Sequence, residues 1–254
     1  MTRGVALVRR PSSRLDEGIV THIHRRPVDI GLAGRQHDAY RAALAEVGWT
    51  LTEVPPADDH PDSVFVEDTV VVFAGLAVLT RPGAEARVGE IAGTEAAVRE
   101  LGLDIARIEP PGTLDGGDVL QVGRTVYVGV GGRTNRVGVA QLRDHLAPTA
   151  RDVVAVPLGH VLHLKSAVTA LSDGTLLALA DLIDTSAMPT VHPVTEETGC
   201  HVAPLGGDEV LIAASAPRTA EWLALRGYRP VVVDISEFEK LEGCVTCLSV
   251  LVTQ

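Results

Sequence analysis

Two of the three cysteines in this 254-residue chain, Cys244 and Cys247, stand three apart in L-E-G-C-V-T-C-L-S-V-L-V. An ionised thiol is both a nucleophile and a metal ligand. The spacing therefore admits four readings: a redox pair, half a metal site, two packed core residues, or one nucleophile with a bystander. A thioredoxin-like C-x-x-C opens a helix after a strand near the start of a βαβ unit, whereas this pair precedes a strand-like apolar run. Structural zinc takes four ligands, usually as two spaced pairs. The remaining cysteine, Cys200, is followed directly by His201, and sequence neighbours rarely both reach one tetrahedral ion. A single nucleophile is the better reading of the four.

A working thiol needs a base and charged groups to set its environment. Candidates recur along the chain: Asp62, Glu67 and Asp68 in D-S-V-F-V-E-D, Asp115 and Asp118 in T-L-D-G-G-D, and His163, Lys165 and Ser166 in H-L-K-S. Each has a plain structural alternative. A lone histidine beside apolar residues is more often a satisfied structural group. D-G-G-D reads first as a tight turn, with glycines supplying positive φ and aspartates capping amides. Glu67 and Asp68 could be ordinary strand-end charges, and buried cysteines are usually inert packing. His22 and His24 fall in a polar loop, and His160 pairs with His163 at a spacing that does not compel a metal.

The elements around these residues repeat. Two short apolar runs joined by a turn signal occur at 65–80, at 118–129 with a Gly123-Arg124 break, at 164–180 and, more weakly, at 208–216. Helical patterns are expected at 84–101, 135–146 and 217–225, with an earlier one at 35–47. Apolar runs at 50–54, 104–108, 152–156 and 229–234 follow them. The run 249–253 has no hairpin partner after it, and 4–9 has none before it. Pairing those two closes a ring, removing exposed sheet edges. The fold expected is α/β: a ring of about five ββαβ units forming one domain over 1–254, with 11–34 as its longest irregular loop. In such a ring the entry to each hairpin faces one axis, so the acids, His163 and Cys247 converge.

Bulk composition sets outer limits. The formal charge of −11 argues against nucleic acid or an anionic membrane as partner and is compatible with a small cationic substrate. The N-terminal apolar run is too short for a signal-peptide core or a membrane span. Three cysteines do not make a disulfide framework, and a reducing cytoplasm is the expected location.

The motifs D-S-V-F-V-E-D-T, L-T-R-P-G-A, T-L-D-G-G-D-V-L, R-T-N and H-L-K-S, in that order and ending in C-L-S, resemble the dimethylarginine dimethylaminohydrolases. That family belongs to a guanidine-modifying superfamily with arginine deiminases and amidinotransferases, and the resemblance covers nearly the whole chain. It implies a pseudo-fivefold α/β propeller, the pentein fold. It also implies hydrolysis of methylated arginine to citrulline through a covalent thiouronium, with no metal and no cofactor. Cys247 would be the nucleophile, His163 the general acid and base, and Asp115 the carboxylate that orients it. Asp62, Glu67 and Asp68 would cradle the guanidinium, while Arg81 and Arg133 would hold the amino-acid carboxylate. Val20 would be a lid residue within the 11–34 loop, and Leu241 and Glu242 would bind the amino-acid end mainly through backbone. Arginine deiminase is the nearest alternative, but that family reads H-L-D where Lys165 stands here. A silent ligand-binding propeller is the lesser alternative. A monomer or a homodimer is expected.

Overall fold

The first strand, β1 (Gly4–Val8), is apolar and buried along its whole length because it is the middle strand of a three-stranded sheet. On one side it pairs antiparallel with β15 (Ser249–Thr253), in the register Gly4 to Thr253 and Val8 to Ser249. On the other it pairs parallel with β2 (Thr50–Glu53) after the crossover helix α1 (Ile30–Glu46). The computed structural model describes residues 3–253, and five such sheets make up its strands.

The remaining four repeat the plan: an antiparallel hairpin, then a crossover to a parallel third strand. The second is β3 (Val70–Phe73), β4 (Leu76–Leu79) and β5 (Asp104–Arg107), with α2 (Ile91–Glu100) in the crossover. The third is β6 (Val119–Val122), β7 (Thr125–Val130) and β8 (Asp152–Pro157), with α3 (Arg136–Leu146). The fourth, β9 (Val168–Ala170), β10 (Leu176–Ala178) and β11 (Val191–Pro193), crosses over without an α-helix. The fifth is β12 (Val202–Gly206), β13 (Glu209–Ala213) and β14 (Arg229–Val233), with α4 (Pro217–Leu225). The predicted ring closure by the two outermost strands is what the register shows.

Local departures have local causes. Helix α1 begins at Ile30 rather than near Arg35, because the Asp29 side chain caps it by accepting the Leu32 N–H at 2.9 Å. The irregular segment is correspondingly shorter than 11–34. Residues 66–69 do not open a strand; they form a 3-10 turn before β3. The weak hairpin at 208–216 is the second half of one that starts at Val202 and turns at Gly206 and Gly207, both at positive φ.

Buried apolar side chains gather in five clusters, built where the sheets pack against the crossovers and against neighbouring sheets. Each fully buried Val, Leu or Ile contributes about 1.5–3 kcal/mol relative to exposure. These clusters hold the hairpin entries at one end of the ring, where polar bonds stitch them in succession. Glu67 N–H donates to the Cys247 carbonyl at 3.2 Å. Gly117 N–H donates to Asp68 Oδ1 and Leu164 N–H to Asp118 Oδ1, both at 2.9 Å. His201 Nε2 meets the Ser166 carbonyl, also at 2.9 Å. Four links thus run in order from the Cys247 turn through those of Glu67, Asp115 and His163 to His201. Among the described residues, no helix is long and apolar enough to cross a membrane.

Candidate active site

The stitched turns surround a small cavity lined by Ile19, Asp62, Phe65, Asp68, Arg87, Arg133, Leu162, His163, Leu241, Glu242, Gly243 and Cys247. Seven of the eleven residues singled out from sequence for catalysis or binding are in that wall; Asp115 stands one hydrogen bond behind it. Its Oδ2 accepts from His163 Nε2 at 3.0 Å, and its Oδ1 from Gly83 N–H at 2.7 Å. Both His163 and Asp115 are buried.

The motif residues divide the labour of building this wall. D-G-G-D forms a 3-10 turn, but its glycines are there for space rather than positive φ. A Cβ on Gly117 would lie 2.6 Å from His163 Nδ1, and one on Gly116 would lie 1.9 Å from the Glu67 carbonyl oxygen. In R-T-N, Arg133 faces the cavity and Asn135 caps α3 by accepting Gly138 N–H at 2.8 Å. Between them, Thr134 Oγ1 donates to Asp118 at 2.5 Å while accepting Asp115 N–H at 3.1 Å. In T-R-P-G the working residue is Gly83, whose Cβ would lie 2.2 Å from the Arg133 carbonyl oxygen.

Three of the residues expected at the site, Arg81, Val20 and Glu67, stand outside that wall. Arg81 does not line the cavity; its side chain lies 3.5 Å from the exposed Glu85. The second arginine in the wall is Arg87, which the sequence reading missed. It sits on the 3-10 turn 85–90, with Nη1 2.6 Å from Asp68 and Nη2 2.8 Å from Glu90. Val20 packs against the core, and its neighbour Ile19 lines the cavity and donates its N–H to both Asp62 oxygens at 3.0 and 3.1 Å. Glu67 turns away: Lys165 Nζ holds it at 2.5 Å and Thr246 Oγ1 at 3.0 Å, and it faces a separate cavity of about 410 Å³ at the hub.

Leu241 and Glu242 are both in the wall, and the Glu242 side chain is bonded to the 19–22 segment. Its carboxylate accepts Thr21 N–H at 2.9 Å, and it also accepts the His22 N–H. The residue holds a left-handed backbone, φ 63°, which is uncommon for a non-glycine residue. Together, Asp62 and Glu242 fasten residues 19–22 across the cavity mouth.

The site's charges are strongly interdependent. Burial works to lower the His163 pKa, yet the Asp68 charge, the hydrogen bond to Asp115 and the Asp118 charge outweigh it and raise it to about 10. The imidazole is therefore protonated at neutral pH. Burial disfavours ionised Asp68, but the His163 and Arg87 charges prevail and hold it at about 2. Burial raises Asp118 to about 6. The Cys247 thiol is pushed well up, first by its hydrogen bond with Cys244, then by burial and by the Glu67 and Asp68 charges. Asp68, Asp115 and His163 offer donor atoms close enough to share a cation. The protonated His163 stands between the two carboxylates, hydrogen-bonded to Asp115 and 3.9 Å from Asp68.

Five like sheets in a ring closed by the outermost strands, with acids, a histidine and a cysteine at the hub end, define the pentein class of α/β propeller. The arginine deiminase family model matches residues 58–212. The chain is 62% identical over 246 residues to an N(G),N(G)-dimethylarginine dimethylaminohydrolase of Streptomyces coelicolor, covering 96% of this chain and 95% of that one. A Pseudomonas aeruginosa protein of the same name is 36% identical over 96% of this chain and 97% of its own. A solved structure of the Pseudomonas aeruginosa enzyme, a cysteine-to-serine variant complexed with citrulline, superposes with TM-score 0.91 at 34% identity and covers 99% of this chain and all of that one. A cyanobacterial arginine dihydrolase domain shares the fold at TM-score 0.87 and 22% identity, covering 98% of each chain. The chain belongs to the dimethylarginine dimethylaminohydrolase family.

Proposed function

We propose that this chain hydrolyses Nω-methylated arginines, asymmetric dimethylarginine and monomethylarginine, to citrulline and dimethylamine or methylamine. The observation that carries this reading is that Cys247, His163, Asp62 and Asp68 line one cavity. It gains support from the relatives, one of which binds citrulline in its solved structure.

A guanidinium carbon with intact resonance is a poor electrophile, so it needs a strong nucleophile and a preorganised anionic cradle. Asp68, ionised and fixed by Arg87, presents a carboxylate that matches the planar N–H fork. Asp62 carries a second acid, whose oxygens the Ile19 N–H engages when the mouth is closed. Arg133, which enters no ion pair with a described residue, holds the substrate carboxylate, while Arg87 is committed to Asp68 and Glu90. Ile19 serves in place of Val20 as the apolar lid contact.

The reaction follows from the protonation states. Cys247 rests as a thiol because of Cys244, burial and the adjacent acids. An incoming guanidinium adds positive charge beside the sulfur and favours the thiolate. Thiolate attack gives a tetrahedral adduct, and protonated His163 donates its proton to departing dimethylamine, leaving a thiouronium on Cys247. The neutral imidazole then takes a proton from water as it adds, and citrulline leaves. Asp115 orients the ring throughout. Lys165, paired to Glu67, places no acid beside the reacting nitrogens where a deiminase of H-L-D type carries one. This favours methylated nitrogen.

The test measures citrulline release from dimethylarginine, monomethylarginine and arginine, with wild type and Cys247→Ser side by side. Methylated substrates should turn over well above arginine, and the variant should be inactive on all three. Preferential turnover of arginine would overturn the assignment. The cytoplasm remains our proposed location.

A further inference from the structure

The mechanism gives Cys244 no bond to make or break, yet its sulfur lies 3.2 Å from Cys247 Sγ. We propose that Cys244 is a resolving thiol that reversibly closes a disulfide onto Cys247 when a peroxide enters the cavity. That closure stops turnover rests on the reading of Cys247 as nucleophile; that the disulfide forms does not.

Three observations carry the inference. First, Cys247 N–H donates to the Cys244 carbonyl at 3.1 Å, so residues 244–247 form a tight turn. A turn of this kind keeps its terminal Cα atoms within about 7 Å, overlapping the span that a disulfide bridges. The sulfurs already face each other, and side-chain rotation rather than backbone movement completes the approach. Second, access is graded. Cys247 lines the cavity and Cys244 does not, so a small oxidant meets the nucleophile first. Third, Cys244 has surroundings that suit a thiolate. Thr246 Oγ1 lies 3.3 Å from its sulfur, and the hydrogen bond with Cys247 and the His201 charge favour its ionised form against burial.

The chemistry balances with hydrogen peroxide as the oxidant. The Cys247 sulfur attacks one peroxide oxygen as its thiol proton passes to the other, so the S–O bond forms, the O–O bond breaks and the other oxygen leaves as water. The product is a sulfenic acid. The Cys244 thiolate then attacks the sulfenic sulfur. An S–S bond forms, the S–O bond breaks and a second water is released. Two electrons have left the thiol pair and reduced one peroxide. A dithiol reductant reverses the step by exchange. Without a neighbouring thiol, the sulfenic acid would proceed to sulfinic and sulfonic acids that such reductants do not recover.

The experiment treats the full-length reduced protein with hydrogen peroxide, blocks remaining thiols with iodoacetamide and weighs the peptide carrying residues 244–247. Turnover is followed in parallel before and after dithiothreitol. Wild type should lose two hydrogens' mass on that peptide, take up no alkyl group there, lose turnover and regain it with dithiothreitol. Cys244→Ser and Cys244→Ala, each measured against its own untreated rate, should lose turnover irreversibly as their peptide gains two or three oxygens. A wild-type peptide that gains oxygen while Cys244 stays alkylatable would overturn the proposal. So would full recovery of both variants, or a pair left untouched by peroxide that oxidises free cysteine. The mass readout is independent of activity, so a disulfide that forms without affecting citrulline release would count against the nucleophile assignment and not against the resolving thiol.

Discussion

His163 Nε2 and Asp115 Oδ2 lie 3.0 Å apart, and this contact leaves Nδ1 on the side of Asp68, 3.9 Å away. Asp115 is itself anchored by Gly83, so the ring cannot turn without breaking a second bond. Replacing Asp115 with Asn removes the anionic partner that helps keep the imidazole protonated. Turnover should fall about 10²-fold or more, the range set for general acid–base groups. The alkaline limb of the pH–rate profile should move to lower pH. A drop in rate with no displacement of that limb would argue against the assignment.

The same histidine links pH to stability. A group whose folded pKa stands above its unfolded value stabilises the fold fully below the unfolded value, and that contribution fades as pH rises through the folded one. His163 moves from 6.5 to about 10, so its contribution should decline across that window. Asp68, lowered from 3.8 to about 2, should lose its share as pH falls through that interval. Urea midpoints measured from pH 6 to 10 should decline more steeply for wild type than for His163→Asn. Parallel slopes would contradict the charge network.

Arg81, Arg87 and Arg133 separate cleanly by substitution. Arg133→Ala should raise KM about tenfold or more, the loss expected for one charge-assisted contact, and Arg81→Ala should leave steady-state kinetics near wild type. Arg87→Ala strands Asp68 and Glu90 in the interior and should cost about 3–5 kcal/mol of stability. Chemical denaturation and initial-rate kinetics on the three variants decide the order.

Glu242 tethers the mouth by accepting Thr21 and His22 backbone N–H groups from a left-handed conformation. Glu242→Gly removes the carboxylate while suiting the backbone. Hydrogen exchange at residues 19–22 should accelerate and KM should rise several-fold, since hydrogen bonds to charged groups are worth about 1.5–3 kcal/mol each. Unchanged exchange there would show that something else secures the loop.

Much of this was visible in the chain because periodicity reports burial. Alternation around Gly123-Arg124, the Pro217 helix start and the unpartnered end strands led to the ring and its closure. The misplaced residues lie where no period operates. Ile19 and Val20 sit in an irregular segment, so nothing in the sequence says which of two adjacent apolar side chains points inward. Arg87 is presented by a 3-10 turn and fixed by Glu90 in that same turn and by Asp68, which only the fold brings to it. Arg81 drew attention through its motif, whose structural task falls to Gly83. Lys165 and Glu67 are 98 positions apart, and only tertiary structure reveals that they neutralise each other.

The pairing of β1 with β15 has a consequence for biogenesis. Gly4 finds its partner in Thr253, so the ring stays an open crescent with two bare edges until β15 has been synthesised. A polypeptide that stops short of β15 therefore lacks the closing strand, and the contact that completes the ring also shields those edges from other chains.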